Sequence, residues 1–461
     1  QYGIVLDAGS SHTSLYIYEW PAEKQNDTGV VQQLHVCHVT GPGISSYAMD
    51  PEGAGRSLQD CMDEAKRIVP ERRHKETPVS LGATAGMRLL KLQNPEGSDK
   101  VLSSVQKTLS SSPFEFQEAR IITGQDEGAY GWITVNYLMG NFKQVYPVSL
   151  WYTVETLGAL DLGGASTQIT FVPEREIESL ESSLYFQLYG NKYNVYTHSF
   201  LCYGKDQALK ITLAKQLQAH VSGSLEDPCF NPGFIKEVSL QSVYSSPCTA
   251  GERDTTGIQA GFNLTGTGNA KQCHENIKQI FNLTHCQSSN CSFNGVYQPQ
   301  LHGNFGAFSA YYFVMAFLNL TTSERPVTLV EAKEKIKEFC STPWQKLKED
   351  FPKVKDKYLS EYCFSGNYIL TLLETGYKFS PENWNTIRFI KKIGDSDAGW
   401  TLGYMLNLTN MIPSEAPCSP PLPHAGYVSL MVIFSLLIMG LLVTVWLCFG
   451  KTTCTSQKEV I

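Results

Sequence analysis

Two segments of the chain combine one aspartate with glycine and hydroxyl residues at the same spacing. They are Asp7-Ala-Gly-Ser-Ser-His-Thr13 and Asp161-Leu-Gly-Gly-Ala-Ser-Thr167, both of the form D-x-G-x-x-x-T and 154 residues apart, each between two short apolar runs. Such a pattern predicts the turn of a β-hairpin. Glycine lets the backbone approach a ligand, and consecutive N–H groups bind anions. One such turn would also fit an ordinary tight hairpin. The pair favours two related α/β halves facing each other, each with a phosphate loop and an aspartate.

A third segment, Val79-Ser-Leu-Gly-Ala-Thr-Ala-Gly-Met-Arg88, reads as a buried strand that ends in small residues. Small residues permit close backbone approach, and Thr84 adds a hydroxyl. The same pattern also fits close packing of a strand on a helix.

A fourth segment, Ile121–Trp132, places Asp126 and Glu127 at a glycine-flanked strand end, before a helix predicted over Ala129–Leu138. A carboxylate there could cap the helix, or act as the general base for a water that attacks phosphorus. The residues alone leave both roles open.

The elements that must position these residues belong to a chain of ordinary globular composition. It has 461 residues, 42% of them hydrophobic, which predicts two to three domains and excludes a disordered or fibrous protein. Its net charge of −7, with no long Lys/Arg run, argues against nucleic acid as a partner.

The C-terminus predicts a membrane anchor. Residues 425–450 contain no charge, and a helix of ~20 apolar residues suffices to cross a bilayer. Lysines then place the tail, 451–461, in the cytoplasm. The preceding segment, 413–424, is proline-rich and reads as a stiff spacer. Because the chain starts at Gln1, we expect a signal peptide or N-terminal anchor to be missing from it.

Cysteines and glycosylation signals predict an extracellular location for the rest. Thirteen cysteines are present, ten of them between Cys37 and Cys363, with no spacing typical of zinc. Six N-x-S/T sequons occur, at Asn26, Asn263, Asn282, Asn290, Asn319 and Asn407. Together with an anchor, these features favour a disulfide-bonded, glycosylated ectodomain.

The four motifs DAGSSHT, GATAGMR, ITGQDEGAYGW and LDLGGASTQ resemble the apyrase conserved regions of the ectonucleoside triphosphate diphosphohydrolases. Two further stretches, Tyr196–Gln207 and Ser396–Asn407, are similar to the cell-surface branch of that family. The resemblance covers nearly the whole chain. One departure is the segment Lys143–Glu155, which looks shorter than its family counterpart.

The resemblance implies an α/β, two-lobed actin/Hsp70-like (ribonuclease H-like) fold with a C-terminal transmembrane helix and the nucleotide in the cleft. By matched position, lobe I comprises 1–123 plus 391–412, and lobe II comprises 124–390. The resemblance also implies five disulfides, which the sequence itself does not establish: Cys37–Cys61, Cys202–Cys248, Cys229–Cys273, Cys286–Cys291 and Cys340–Cys363.

It further implies roles for individual residues. Glu127 would be the catalytic base, with Ser166 and Gln168 positioning the water. Asp7 and Asp161 would hold Ca²⁺ or Mg²⁺, largely through waters. The phosphate-side positions would be Ser10, Ser11, His12, Thr13, Thr84, Ala85, Gly163, Gly164, Ala165 and Thr167. Arg88 lies one turn beyond this set, where we expect only a structural role.

At the nucleoside end, the resemblance implies that the base stacks between Phe313 and Tyr358, with Asp206 nearby. Because Phe313 lies in an apolar run, core packing is the alternative for this residue.

The expected function is hydrolysis of extracellular nucleoside tri- and diphosphates (ATP, ADP, UTP, UDP) to the monophosphate at the plasma membrane. The partners would be these nucleotides and the lipid bilayer. A triphosphate-preferring ecto-ATPase, an inactive nucleotide-binding ectodomain, and a sugar or acetate kinase on the same fold are the alternatives. The sequence does not decide whether copies of the chain form a homo-oligomer.

Overall fold

The structure is a computed structural model of the chain, and it describes residues 1–21, 31–142, 155–218, 223–252, 261–321, 327–409 and 424–452. The shortened segment 143–155 lies outside the described residues except for Glu155. The proline-rich spacer and most of the C-terminal tail also lie outside them.

The N-terminal half is built on a five-stranded sheet of order β3-β2-β1-β4-β5. The hairpin β1–β2 is antiparallel, β4 is parallel to β1, and β5 is parallel to β4. Its elements are β1 (Tyr2–Ala8), β2 (Thr13–Glu19), β3 (Gln32–His38), α1 (Pro51–Ser57), α2 (Gln59–Ile68), β4 (Pro78–Ala83), α3 (Ala85–Gln93), α4 (Pro95–Ser110) and β5 (Glu115–Ile121).

The second half is built on a six-stranded sheet. Its elements are α5 (Gly124–Leu138), β6 (Gly158–Leu162), β7 (Ser166–Phe171), β8 (Ser183–Leu188), β9 (Asn191–Leu201), α6 (Lys205–Gln218), β10 (Ser224–Asp227), β11 (Ile235–Ser239), α7 (Leu240–Tyr244), β12 (Gly261–Gly266), α8 (Ala270–Lys278), β13 (Phe305–Ser309), α9 (Ala310–Phe317), α10 (Leu329–Ser341), α11 (Trp344–Asp350), α12 (Asp356–Thr371) and β14 (Ile387–Phe389). Three of these strands form a separate small sheet of order β10-β12-β11.

The two large sheets repeat one topology, which confirms the prediction of two related α/β halves. The six-stranded sheet has the order β14-β13-β6-β7-β9-β8. Its antiparallel hairpin β6–β7 corresponds to β1–β2, and its parallel strands β13 and β14 correspond to β4 and β5. Strand β8 is an additional edge strand.

The chain then returns towards the first sheet through β15 (Lys392–Ile393), β16 (Ser396–Asp397) and α13 (Trp400–Leu408). Helix α13 packs on α5, where the amide of Gly403 donates to Thr134 Oγ1 at 2.8 Å. A buried cluster of residues from both halves, including Val5, Trp132 and Phe308, surrounds this contact. Helix α13 also contacts the first sheet, where Thr401 Oγ1 lies 2.8 Å from the hydroxyl of Tyr18. It therefore packs against both halves, and the lobe boundaries expected from the sequence, with 391–412 completing lobe I, stay a prediction.

Helix α5 differs from the expectation that the helix starts at Ala129. It begins at Gly124, because Thr123 forms a capping box in which its hydroxyl accepts from the Asp126 amide and the Asp126 carboxylate accepts from the Thr123 amide. Asp126 and Glu127 therefore lie in the first helical turn and not on the strand end before it.

The last helix, α14 (His424–Thr452), contains 25 residues, Ala425–Phe449, that are long and apolar enough to cross a membrane by length and composition. This confirms the expected C-terminal apolar helix. The five disulfides implied by the family resemblance are all present, with sequence separations from 5 to 46 residues.

Candidate active site

The turns of the two hairpins, β1–β2 and β6–β7, face each other across a cleft. A Cβ added at Gly164 would lie 2.7 Å from Ser10 Oγ of the opposite turn and 2.8 Å from Asp206 Oδ2. The start of α3 joins the same contact, because Ala85 and Ala165 belong to one small buried cluster. The structure thus brings together the first three motifs, which lie far apart in sequence.

The second turn is held by the segment that leads into α6. The amide of Cys202 donates to the carbonyl of Ala165 at 2.8 Å, and the amides of Lys205 and Asp206 donate to the carbonyls of Gly163 and Gly164 at 2.9 Å. In a trans peptide the C=O and the following N–H point in opposite directions. The amides that follow these three carbonyls, those of Gly164, Ala165 and Ser166, therefore point away from the segment that holds the turn. Amides that point outwards in this way can bind phosphate oxygens.

The first turn is held in a similar way. The carbonyl of Ala8 accepts from the Thr84 amide at 3.1 Å, and the carbonyl of Ser11 accepts from the Gly43 amide at 3.1 Å. Thr84 itself is buried and precedes α3. Ser11 and His12 are exposed at the tip of the turn. The protein atoms around the imidazole partly desolvate it, and this desolvation, with repulsion from His38, lowers the pKa of His12.

Asp7 and Asp161 end the central strands of their sheets and carry perturbed acidities. Burial and repulsion from Asp161 raise the pKa of Asp7 to about 7, although an interaction with the Trp400 side chain opposes this rise. Burial raises the pKa of Asp161 to about 6 against hydrogen bonds from Ser309 and the Leu162 amide. A cation near this pair would remove the cost of ionising both carboxylates.

Glu127 lies in the same cleft, on the first turn of α5. It is buried and forms an ion pair with Arg88 Nη2. The amide nitrogen of Gln168 donates to Glu127 Oε2 at 3.0 Å and lies 2.7 Å from Ser166 Oγ. Burial raises the pKa of Glu127 to about 8, repulsion by Asp161 and Asp7 adds to this, and Arg88 opposes it.

Four buried polar atoms of this cleft have no hydrogen-bond partner among the described residues. They are Asp7 Oδ1, Thr13 Oγ1, Arg88 Nε and Gln168 Oε1. Buried polar groups are ordinarily paired, so a cluster of unpaired ones indicates a place where water or a ligand binds.

Asp126, adjacent to Glu127, takes no part in this network. Its carboxylate accepts from the Thr123 amide and from Arg120 Nη1, both at 3.3 Å. Asp126 therefore has the capping role that the sequence left open. Glu127 lies in the cleft, and its role as general base stays a prediction.

The structure also adds three residues to which the sequence reasoning gave no role, and extends that of Arg88. Ser199 lies opposite Gln168 across β7–β9, 2.9 Å from its amide nitrogen, and accepts from Arg88 Nη1 at 3.3 Å. The side chains of Trp400 and Ser309 interact with the carboxylates of Asp7 and Asp161, respectively. Strand alternation along the predicted strand that contains Ser199 could have indicated this residue, whereas the other two reach the cleft only through tertiary structure.

Thr167 is placed differently from the rest of its turn. Its hydroxyl is fully buried, donates to the carbonyl of Asp161 at 2.8 Å, and lies 3.1 Å from the hydroxyl of Tyr377. The side chain thus holds the turn closed and does not line the cleft.

The nucleoside-end residues lie at the surface of the second half. Phe313 on α9 is 56% exposed and Tyr358 on α12 is 50% exposed, so core packing is excluded for Phe313. Asp206 is half-buried in the first turn of α6, against Gly164 and ion-paired with Lys205. Asp206 therefore lies against the second glycine turn, on the phosphate side, whereas the family resemblance implied a position near the nucleobase.

A metal would be held here by few protein atoms. Among the described residues no group of three or more His, Cys, Asp or Glu side chains could enclose an ion. The unpaired Asp7 Oδ1 and the two repelling aspartates nevertheless fit a hard divalent cation that keeps most of its waters.

Comparison with known proteins decides the family. Residues 1–421 match the GDA1/CD39 (nucleoside phosphatase) family. The chain belongs to this family. It is 56% identical over 465 residues to ectonucleoside triphosphate diphosphohydrolase 1 of Mus musculus, covering 100% of this chain and 91% of that protein. It is 48% identical over 420 residues to ectonucleoside triphosphate diphosphohydrolase 8 of Rattus norvegicus, covering 90% and 84%.

A solved structure shows the same fold. The nucleoside triphosphate hydrolase of Neospora caninum superimposes with a TM-score of 0.63 at 17% identity, covering 89% of this chain and 93% of that one. This GDA1/CD39 family chain is thus an enzyme of the nucleoside phosphatase class, and the resemblance expected from its motifs is confirmed.

Proposed function

We propose that this chain is a cell-surface hydrolase that removes the terminal phosphates of nucleoside tri- and diphosphates, such as ATP, ADP, UTP and UDP, to give the monophosphate. The observation that carries this is the position of Glu127. It is buried with Ser166 and Gln168 between two glycine turns that each present an aspartate.

Glu127 would take the proton from the water that attacks phosphorus. The free Gln168 Oε1 and the hydroxyl of Ser166 would orient that water, since both lie beside the carboxylate. Arg88 holds Glu127 in place and favours its ionised form, which is the form that acts as a base.

Asp7 and Asp161 would hold Ca²⁺ or Mg²⁺ through its waters. When bound, such an ion neutralises charge on the phosphate chain. The backbone amides of the two turns would bind the phosphate oxygens, assisted by the hydroxyls of Ser10 and Thr13. Phe313 and Tyr358 would hold the base by stacking, which tolerates any base and so fits a broad nucleotide range.

The catalytic part would lie outside the cell, anchored in the bilayer by α14. The five disulfides and six sequons support this, because both belong to oxidising, glycosylating compartments. Association into a homo-oligomer is a proposal of the same kind.

The test supplies ATP or ADP with Ca²⁺ to intact cells that express the chain and follows the nucleotides in the medium over time. We expect AMP to accumulate from both, while cells expressing Glu127→Gln release none. If ADP accumulates in an amount equal to the ATP consumed and is not hydrolysed further, the triphosphate-preferring alternative is favoured. Binding without any turnover by the unmodified chain would favour the inactive ectodomain.

A further inference from the structure

Two half-buried aromatic rings, Phe317 and Tyr362, stack on each other between α9 and α12. Their centroids lie 3.7 Å apart and their planes differ by 9°. Phe351 packs against Phe317 at 5.0 Å, and Phe339 meets Phe317 edge-on at 5.7 Å. The stacked rings therefore fix the distance between the two helices at this level.

The two exposed aromatic residues lie one helical turn before this stack. Phe313 precedes Phe317 by four residues on α9, and Tyr358 precedes Tyr362 by four residues on α12. Residues four apart lie on the same helix face, about 6 Å apart along the axis. Leu318, one residue beyond Phe317, lies close to Gly366, which is one turn beyond Tyr362. The two helices therefore run in the same direction at this point.

We infer that the Phe317–Tyr362 stack is a positioning pair that sets the gap between Phe313 and Tyr358 to the width of one nucleobase. This inference rests on the proposed nucleotide hydrolysis. A nucleobase that is stacked on both faces needs a ring at van der Waals distance on each side. The Phe317–Tyr362 stack sets the distance between α9 and α12, and so it also sets the gap between the two exposed rings one helical turn away.

The positioned pair is also connected to the phosphate end. Glu361, next to Tyr362, pairs with Lys205 at 2.8 Å, and Lys205 donates its amide to the carbonyl of Gly163 in the second turn. The distance from base gap to phosphate turn is thereby fixed by the same helix that carries Tyr358.

The experiment compares Phe317→Leu and Tyr362→Leu with the unmodified full-length chain. We expect the KM for ATP to rise about fivefold or more, a part of what one stacked base is worth, with kcat within about twofold. The inhibition constant of inorganic tripolyphosphate against ATP hydrolysis should stay unchanged, because this probe has no base. A general loss of structure would weaken both ligands together.

The control is Phe339→Leu, which removes a ring from the same aromatic cluster but from α10, a helix that carries neither exposed ring. It should leave the ratio of ATP KM to tripolyphosphate inhibition constant unchanged. Tyr362→Phe keeps the stacked ring and should restore the normal KM. If Phe317→Leu and Tyr362→Leu change this ratio no more than Phe339→Leu does, the inference is wrong.

Phe313→Ala and Tyr358→Ala separate this inference from the proposed function beneath it. If both raise the KM for ATP and leave tripolyphosphate unaffected, the base gap is real, and a normal KM in Phe317→Leu overturns the positioning role alone. If neither does, the proposed base site itself fails, and the positioning role fails with it.

Discussion

The adjacent carboxylates Asp126 and Glu127 show how one helical turn separates structural from chemical roles. The Asp126 side chain bonds to the Thr123 amide and to Arg120, whereas Glu127 faces Arg88, Gln168 and the two buried aspartates. Residues next to each other on a helix point about 100° apart, so only one of them can enter the cleft.

We expect Glu127→Gln to reduce kcat by about 10²–10⁴-fold, the usual contribution of a positioned base, while ATP still binds. Asp126→Ala should instead lower the free energy of unfolding by about 1 kcal/mol, the value of a helix cap, with kcat nearly unchanged. Single-turnover kinetics, ATP calorimetry and thermal unfolding distinguish these outcomes. A dead Asp126→Ala beside an active Glu127→Gln would contradict the assignment.

Arg88 should control the pH at which activity appears. Burial raises the pKa of Glu127 to about 8, and Arg88 opposes this rise, so removing the guanidinium moves the pKa upwards. The base acts when ionised, and activity grows as pH increases through this pKa. In Arg88→Met the acid limb of kcat/KM therefore shifts to higher pH.

The matched control is Arg120→Met, because Arg120 pairs with Glu118 and Asp126 and not with Glu127. Its acid limb should coincide with that of the unmodified chain. An unshifted limb in Arg88→Met, with only a lower plateau, would mean that Arg88 does not act through the acidity of Glu127.

At the scale of elements, the disulfide Cys202–Cys248 supports the second turn. It closes a separation of 46 residues, and Cys202 donates its amide to the carbonyl of Ala165. Cys202 also has a φ of 77°, a backbone conformation that side chains rarely adopt and that its surroundings maintain.

Replacing both of these cysteines by serine should lower the free energy of unfolding by about 2–4 kcal/mol and should also reduce kcat, because the turn loses its support. The comparison is Cys286→Ser with Cys291→Ser, which opens a separation of only 5 residues in an exposed loop. Denaturant unfolding and kcat are measured for both pairs. Equal effects would show that Cys202–Cys248 has no special relation to the site.

Some elements of the fold are predictable from local sequence patterns and others are not. Alternating apolar runs around the two D-x-G-x-x-x-T turns predicted both hairpins, because strand and turn chemistry is local. The start of α5 is less evident from the sequence. Thr123 and Asp126 stand at capping-box spacing, but the glycines at positions 124 and 128 obscure this local signal. The contacts of Trp400 and Ser309 with the aspartates could not be predicted, since they depend on packing between distant segments.

At the scale of the whole molecule, α14 contributes no residue to the cleft described above. No residue of its membrane-length segment is buried. The 25 residues of this segment extend about 37 Å as a helix, enough for a hydrocarbon core of about 30 Å.

A chain ending at residue 412 should therefore remain in solution without detergent and keep the kcat and KM of the full chain. Ultracentrifugation with and without detergent, together with ATP hydrolysis, provides the measurement. Loss of activity on truncation would show that the anchor contributes to the shape of the cleft.

The proximity of Trp400 to Asp7 has an optical consequence. The indole is so close to Gly82 that no Cβ fits there, and its side chain interacts with the Asp7 carboxylate beside the proposed metal position. Emission from an indole shifts when the charge near it changes. A fluorescence titration with Ca²⁺, corrected with Trp400→Phe for the six other tryptophans, should therefore report cation arrival directly, without a label and without any substrate.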